Sequence, residues 1–182
     1  MTRARTWTLV LLAASSLGLA ACGSSSSSST TTTGAAATTP TTSAPASIGT
    51  ISDPSPAGTW GTEPTITVPP GAPPTQLESK DLIVGTGPAA KAGDTVSVQY
   101  VGVAYSSGKV FDASWSRGQP FQFTLGQGQV IPGWDQGVVG MQVGGRRELI
   151  IPPNLGYGAQ SPGPGIAAND TLIFIVDLVK IN

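Results

Sequence analysis

The chain has 182 residues, a formal charge of −1, no histidine and a single cysteine. That inventory excludes a Ser-His-Asp or Cys-His catalytic set, a zinc site built from histidine or cysteine, and an internal disulfide. The ten acidic residues show no D-x-D-x-D spacing, and no basic run exceeds Arg146-Arg147, so neither a metal or other cofactor nor nucleic acid is expected.

Arg3 and Arg5 lead into an apolar run from Trp7 to Ala21 that is too short to cross a bilayer comfortably. Residues 1–21 therefore read as an export signal. The run ends in Leu19-Ala20-Ala21-Cys22, which resembles a bacterial lipobox, with Cys22 as the acylated first residue of the mature chain. An ordinary secretory signal with an incidental cysteine is the plainer alternative. Two or three acyl chains would anchor the protein firmly, where one alone binds only marginally. The expected location is the cell membrane, lipid-anchored, with the domain on the extracytoplasmic side. Loss of Arg3 and Arg5 with the signal leaves seven basic and ten acidic residues, a net charge of −3.

Residues 22–59 hold six consecutive serines (Ser24 to Ser29), four threonines (Thr30 to Thr33) and a Thr/Ala/Pro-rich stretch. Such composition cannot bury a core and predicts a disordered tether. About 35 residues of this kind reach roughly 30 to 35 Å. Residues 60–76 read as an extended lead-in, with Ile66-Thr67-Val68 as a short edge strand stopped by Pro69-Pro70-Gly71. The globular domain then covers residues 77–182.

Leu82-Ile83-Val84 opens that domain. From Thr95 to Val103 the chain alternates, with Val96, Val98 and Tyr100 on one face of a half-buried strand. Lys109 to Ala113 and the alternation Phe121, Phe123, Leu125 predict two more strands. Pro132 suits the first turn of a short helix and Gly140 its stop, which puts Trp134 and Val138 on one face. Arg146 to Ile151 alternates again. Thr171 to Ile181 is apolar on both faces, as a central strand must be. Strands with one short helix and no βαβ rhythm predict an α+β domain, an antiparallel sheet on a single helix.

The aromatic residues Tyr100, Phe111, Phe121, Phe123, Trp134, Tyr157 and Phe174 come from strands, helix and loop, and a curled sheet would gather several of them. Each taken singly reads first as core. Trp134 is flanked by Gly133 and Gly137, which offer no side chain to cover it, so one face of the indole is expected to be open. Phe111 and Asp112 are adjacent, so both line a site only where the strand ends or bulges. Asp112 and Arg117 otherwise read as an ordinary surface pair.

Seven stretches in order, Val98-Gln99-Tyr100-Val101-Gly102, Val110-Phe111-Asp112-Ala113-Ser114, Arg117 to Phe123, Gln129 to Trp134, Gly140 to Gly145, Tyr157-Gly158 and Asp170 to Phe174, resemble the FKBP-type peptidyl-prolyl cis-trans isomerases. The resemblance runs from about residue 77 to the C-terminus. It implies a curled antiparallel sheet of about five strands wrapped on one short helix, with an apolar pocket for a proline ring between them. It implies Trp134 as the pocket floor and Tyr100, Phe111, Phe121, Val130, Ile131 and Phe174 as walls. It further implies that Asp112 faces the substrate carbonyl, oriented through Tyr100 and Arg117, while the Tyr157 hydroxyl and the Ile131 N–H donate to bound carbonyls. Phe123 is expected beneath the pocket, and Ile166 is the one contact expected from the loop before the last strand. Ala167-Ala168 stands where the family often has Pro-Pro, and Gly156 where it commonly has alanine. The expected partners are Xaa-Pro segments of exported polypeptides and macrolide immunosuppressant-type ligands, and the protein is expected to be a monomer. A module or chaperone that holds proline segments without turnover is the competing reading.

Overall fold

The computed structural model describes residues 55–182, so the expected signal peptide, Cys22 and nearly all of the tether lie outside the described residues. Six strands and one helix follow in order: β1 (Glu78–Ile83), β2 (Thr95–Ala104), β3 (Val110–Ala113), β4 (Phe121–Thr124), α1 (Pro132–Gly137), β5 (Arg146–Ile151) and β6 (Leu172–Ile181). All pairings are antiparallel, in the order β1-β5-β6-β2-β3 with β4 also on β2. The strand count is six rather than about five because β3 and β4 share one position. The C-terminal half of β2 pairs with β3 and its N-terminal half with β4, and the 3₁₀ turn Trp115–Arg117 carries the chain between them.

β6 is central and buried from Leu172 to Leu178, as its two-sided apolarity predicts. Leu149, Ile151, Leu172, Phe174, Val176 and Leu178 face α1 together with Val96, Val98 and Tyr100 of β2. Gly133 and Gly137 serve a different purpose from the one expected. A Cβ on Gly133 would sit 2.4 Å from Ile151 Cγ2, and one on Gly137 2.7 Å from Leu149 Cδ2. The glycines let a two-turn helix lie directly on β5, and Trp134 is only 3% exposed. A helix this short owes its stability to such packing rather than to propensity. Its last carbonyls are held by Arg147, whose Nη1 donates to Gly137 O (2.8 Å) and Val139 O (3.1 Å) while its Nε and Nη2 pair with Asp81 of β1. Helix, edge strand and β5 thus share one guanidinium.

The lead-in departs from expectation. Ile66-Thr67-Val68 forms no strand, because its backbone joins no ladder of the sheet. Residues 55–76 instead cross the convex face, where Ile66 and Val68 pack with Tyr105 against Ile150 and Ile173. Ser55 is 2% exposed, so positions expected at the end of the tether belong to the packed domain.

Candidate functional site

Between the concave face of the sheet, α1 and the adjoining loops lies a cavity of about 280 Å³. Its wall contains Tyr100, Phe111, Asp112, Phe121, Val130, Ile131, Trp134, Tyr157 and Phe174, nine of the eleven positions expected to meet substrate. The indole of Trp134 holds four rings edge-on or tilted around it. Ring centroids lie 5.0 Å from Tyr100, 5.2 Å from Phe174, 5.5 Å from Phe123 and 6.3 Å from Phe121. Edge-to-face geometry of this kind fixes each ring against its neighbours. Trp134 lies on the cavity wall yet is only 3% exposed, so the open indole face expected from its glycine neighbours is not found. Its Nε1–H has no acceptor among the described residues.

Phe111 and Asp112 reach the same cavity through a bulge. Gly102 pairs with Asp112 and Val103 with Val110, which leaves Phe111 as the extra residue of β3. Gly102 also provides the space, since a Cβ there would come within 2.7 Å of both Phe111 Cζ and Phe174 Cε1. The two rings meet edge-to-face at 5.5 Å across it. Ser114, fully buried, accepts the Tyr100 N–H at 2.8 Å and donates to the Gln99 side chain, so the turn after β3 is tied to the strand bearing Tyr100.

The polar side of the cavity is a closed triangle. The Tyr100 hydroxyl donates to Asp112 Oδ2, Arg117 Nη1 donates to Asp112 Oδ1 at 2.5 Å, and Arg117 Nη2 donates to the Tyr100 oxygen at 2.7 Å. The guanidinium carbon also stands 5.4 Å from the Tyr100 ring centroid. Partial burial pushes the Asp112 carboxyl upward, but the hydrogen bonds from Tyr100 and Arg117 and the guanidinium charge outweigh it, leaving it below the ordinary carboxylate range. Burial, then the bond to Asp112, pushes the Tyr100 phenol up to about 12. Tyr157 is raised as well, by burial first and the Asp112 charge second. The site therefore holds one fixed carboxylate and two neutral phenols near neutral pH.

Arg117 acts on Asp112 and Tyr100 from outside the cavity wall. Ile166 also lies off the wall, contrary to expectation. It is 8% exposed and packs into the core, with its carbonyl accepting the Ser161 hydroxyl at 2.7 Å. Phe123 sits beneath the pocket, stacked on Phe121 at 5.7 Å, as expected. Gln129 lines the cavity and was not singled out in the sequence, although it begins the Gln129 to Trp134 stretch. Its Oε1 accepts the Thr124 N–H at 2.9 Å. Asp135 secures the same loop by accepting the N–H groups of Gly126 (2.9 Å) and Gly128 (3.0 Å). Ile131 caps α1 with its carbonyl, and no acceptor for its own N–H appears among the hydrogen bonds of the described residues. Tyr157 follows the 3₁₀ turn Pro153–Leu155 and is 37% exposed at the rim.

The family model for FKBP-type peptidyl-prolyl cis-trans isomerases matches residues 87–179. An FK506-binding protein of Streptomyces anulatus is 61% identical over 120 residues, which is 65% of this chain and 97% of the relative. A probable FK506-binding protein of Corynebacterium glutamicum is 46% identical over 118 residues, covering 65% of this chain and 98% of the relative. Among solved structures, AtFKBP13 superposes with a TM-score of 0.54 at 36% identity, over 60% of this chain and 96% of that one. FkpA from Escherichia coli gives 0.53 at 42% identity, over 59% and 49% of the two chains. With its curled sheet, short helix and aromatic cavity, the chain belongs to the FKBP-type peptidyl-prolyl cis-trans isomerase family.

Proposed function

We propose that the protein turns Xaa-Pro amide bonds of exported polypeptides while anchored to the outer side of the membrane through Cys22. The observation that carries the catalytic part is the aromatic-walled cavity floored by Trp134 with a single ionised group, Asp112, on its rim side. Rotation about a peptide C–N bond breaks resonance but no covalent bond, against a barrier of about 18 to 20 kcal/mol. No nucleophile, metal or proton carrier is required. The planar amide is favoured by charge separation that water supports, so an apolar enclosure for the proline ring weakens that preference. The Ile131 N–H and the Tyr157 hydroxyl hold the flanking carbonyls, and Asp112, kept ionised by Arg117 and Tyr100, faces the carbonyl of the rotating bond as its oxygen leaves the plane. A thousandfold acceleration corresponds to roughly 4 kcal/mol, which desolvation and two or three hydrogen bonds can supply.

Macrolides of the FK506 type are proposed to fill the same cavity, by analogy with the proteins named for binding them. The export signal, the lipobox-like Leu19-Ala20-Ala21-Cys22 and the Ser/Thr-rich tether support the outward location. Isomerisation of a short Xaa-Pro peptide by the full chain tests the catalytic reading, and a rate no higher than buffer with folded protein overturns it. Labelling of cells with a radioactive fatty acid tests the anchor. Label should appear in the native chain and vanish in Cys22→Ala.

A further inference from the structure

The convex face of the sheet carries charge where a strand face usually meets water or a second apolar layer. Arg146 of β5 is fully buried, and Glu148 and Asp177 are 1% and 2% exposed. Arg146 forms a fork with Asp177 (Nε to Oδ1 2.5 Å, Nη2 to Oδ2 2.7 Å) and also donates to two backbone carbonyls, Ala57 O (Nη1, 2.9 Å) and Thr62 O (Nη2, 2.7 Å). Asp177 Oδ2 accepts the Gly61 N–H at 3.3 Å. Glu148 accepts the Ser55 N–H at 3.0 and 3.1 Å on its two oxygens and the Ser55 hydroxyl on Oε1. Further along, Ile66 and Val68 cover Ile150 and Ile173, and the Tyr105 hydroxyl donates to Pro69 O at 2.9 Å.

This is how a protein recognises an extended peptide in trans: a guanidinium reads carbonyls, carboxylates read N–H groups, and shallow apolar contacts set the direction. The occupant here is the chain's own segment 55–69. That segment has no ladder bonds to any strand, pairs largely with side chains and leaves Trp60 39% exposed. Its release would return Arg146, Glu148 and Asp177 to water, where ionised groups are well solvated, and would not break the sheet. Segments held in this manner open at lower free energy than the strands beneath them.

We propose that the convex face is a second peptide-binding site, separate from the proline cavity, for which residues 55–69 are a detachable built-in occupant. Docking and undocking leave the isomerase domain folded and active. The site's recognition chemistry is that of an extended segment presenting a hydroxyl and N–H to Glu148, two carbonyls to Arg146 and two β-branched side chains to Ile150 and Ile173.

Hydrogen exchange on the full chain tests the inference with two variants at opposite ends of the segment. Ser55→Pro removes both donors to Glu148, and Ile66→Ser weakens the apolar end. In each, the Gly61 and Thr62 amides should exchange at least about tenfold faster, the effect of losing roughly one hydrogen bond to a charged group. Amides of β6 and the isomerase rate should stay unchanged. A fluorescein-labelled peptide of residues 55–70 should raise its anisotropy with either variant and not with the native chain, whose site is filled. The proposal is overturned if β6 amides accelerate in step with Gly61, if the isomerase rate falls in either variant, or if the labelled peptide ignores both variants.

Discussion

Asp112 sits at the point where two conflicting influences meet. Burial disfavours its charge, while Tyr100 and Arg117 favour it, and the second influence prevails. Because the shift is downward, the interaction stabilises the folded state above the carboxyl's unfolded pKa and is lost as pH falls through the lower folded value. Tyr100 and Tyr157 move the other way, away from neutrality on the alkaline side. No site group changes charge in the middle of the pH range, and the chain contains no histidine to do so. The kcat/KM for an uncharged Xaa-Pro peptide should therefore be level between about pH 5 and pH 9, the interval left clear by a depressed carboxyl and raised phenols. A bell centred near neutrality would show that another ionisable group takes part. Removing the charge while keeping the shape separates orientation from electrostatics. Asp112→Asn should lower kcat/KM about tenfold, near 1.4 kcal/mol in transition-state terms. The melting temperature should barely move, since both partners of the Arg117 pair are about two-fifths exposed and such pairs add little stability.

Elements position these residues by close approach more than by hydrogen bonding. α1 depends on the missing side chains of Gly133 and Gly137, and Trp134 is carried by that contact. Gly133→Ala puts a methyl 2.4 Å from Ile151 Cγ2, with no solvent-facing space to absorb it. Overpacking of this kind costs about 1 to 3 kcal/mol and should raise KM for peptide, because the indole moves with the helix. In Gly133→Ala/Ile151→Ala the added methyl finds room, so the double variant should lose less stability than the two single losses combined; simple additivity in thermal melts would show that the helix does not ride on Ile151. The same element shows what the sequence could convey. The alternations of β2, β5 and β6 and the Pro132 start of α1 were legible because burial imposes a period on side chains. The role of the two glycines was not, since an absent side chain marks close approach and exposure alike. Phe111 with Asp112 was legible as a conditional, a strand end or a bulge, and the bulge opposite Gly102 met it. Gln129, passed over, and Ile166, expected at the cavity and found off its wall, share one reason. Loop residues follow no period, so only the path of the backbone decides which of them reaches the cavity.

At the scale of the molecule, the sheet is covered on both faces, by α1 on one and by residues 55–76 on the other. Composition concealed the second cover, because Ser55 to Thr65 is poor in large apolar side chains and offers backbone groups rather than hydrophobic area. Its counterpart on the sheet is the Arg146–Asp177 pair, with side chains 0% and 3% exposed. Two ions removed from water regain their hydration loss only while the geometry stays complete, and loss of one partner leaves the other buried alone. Arg146→Met should thus cost about 3 to 5 kcal/mol, whereas Arg146→Met/Asp177→Leu, which removes both charges at similar volume, should recover most of that loss. Chemical denaturation of the three proteins provides the comparison, read at a common denaturant slope. Recovery in the double variant would show that the pair is a requirement the fold imposes on itself, and that its net contribution lies in holding residues 57 to 62 against β5 and β6. A double variant as unstable as Arg146→Met would instead show that Arg146 acts through the Ala57 and Thr62 carbonyls, with Asp177 secondary. In either outcome the proline cavity on the opposite face should keep its rate wherever the protein remains folded, since none of these groups touches its wall.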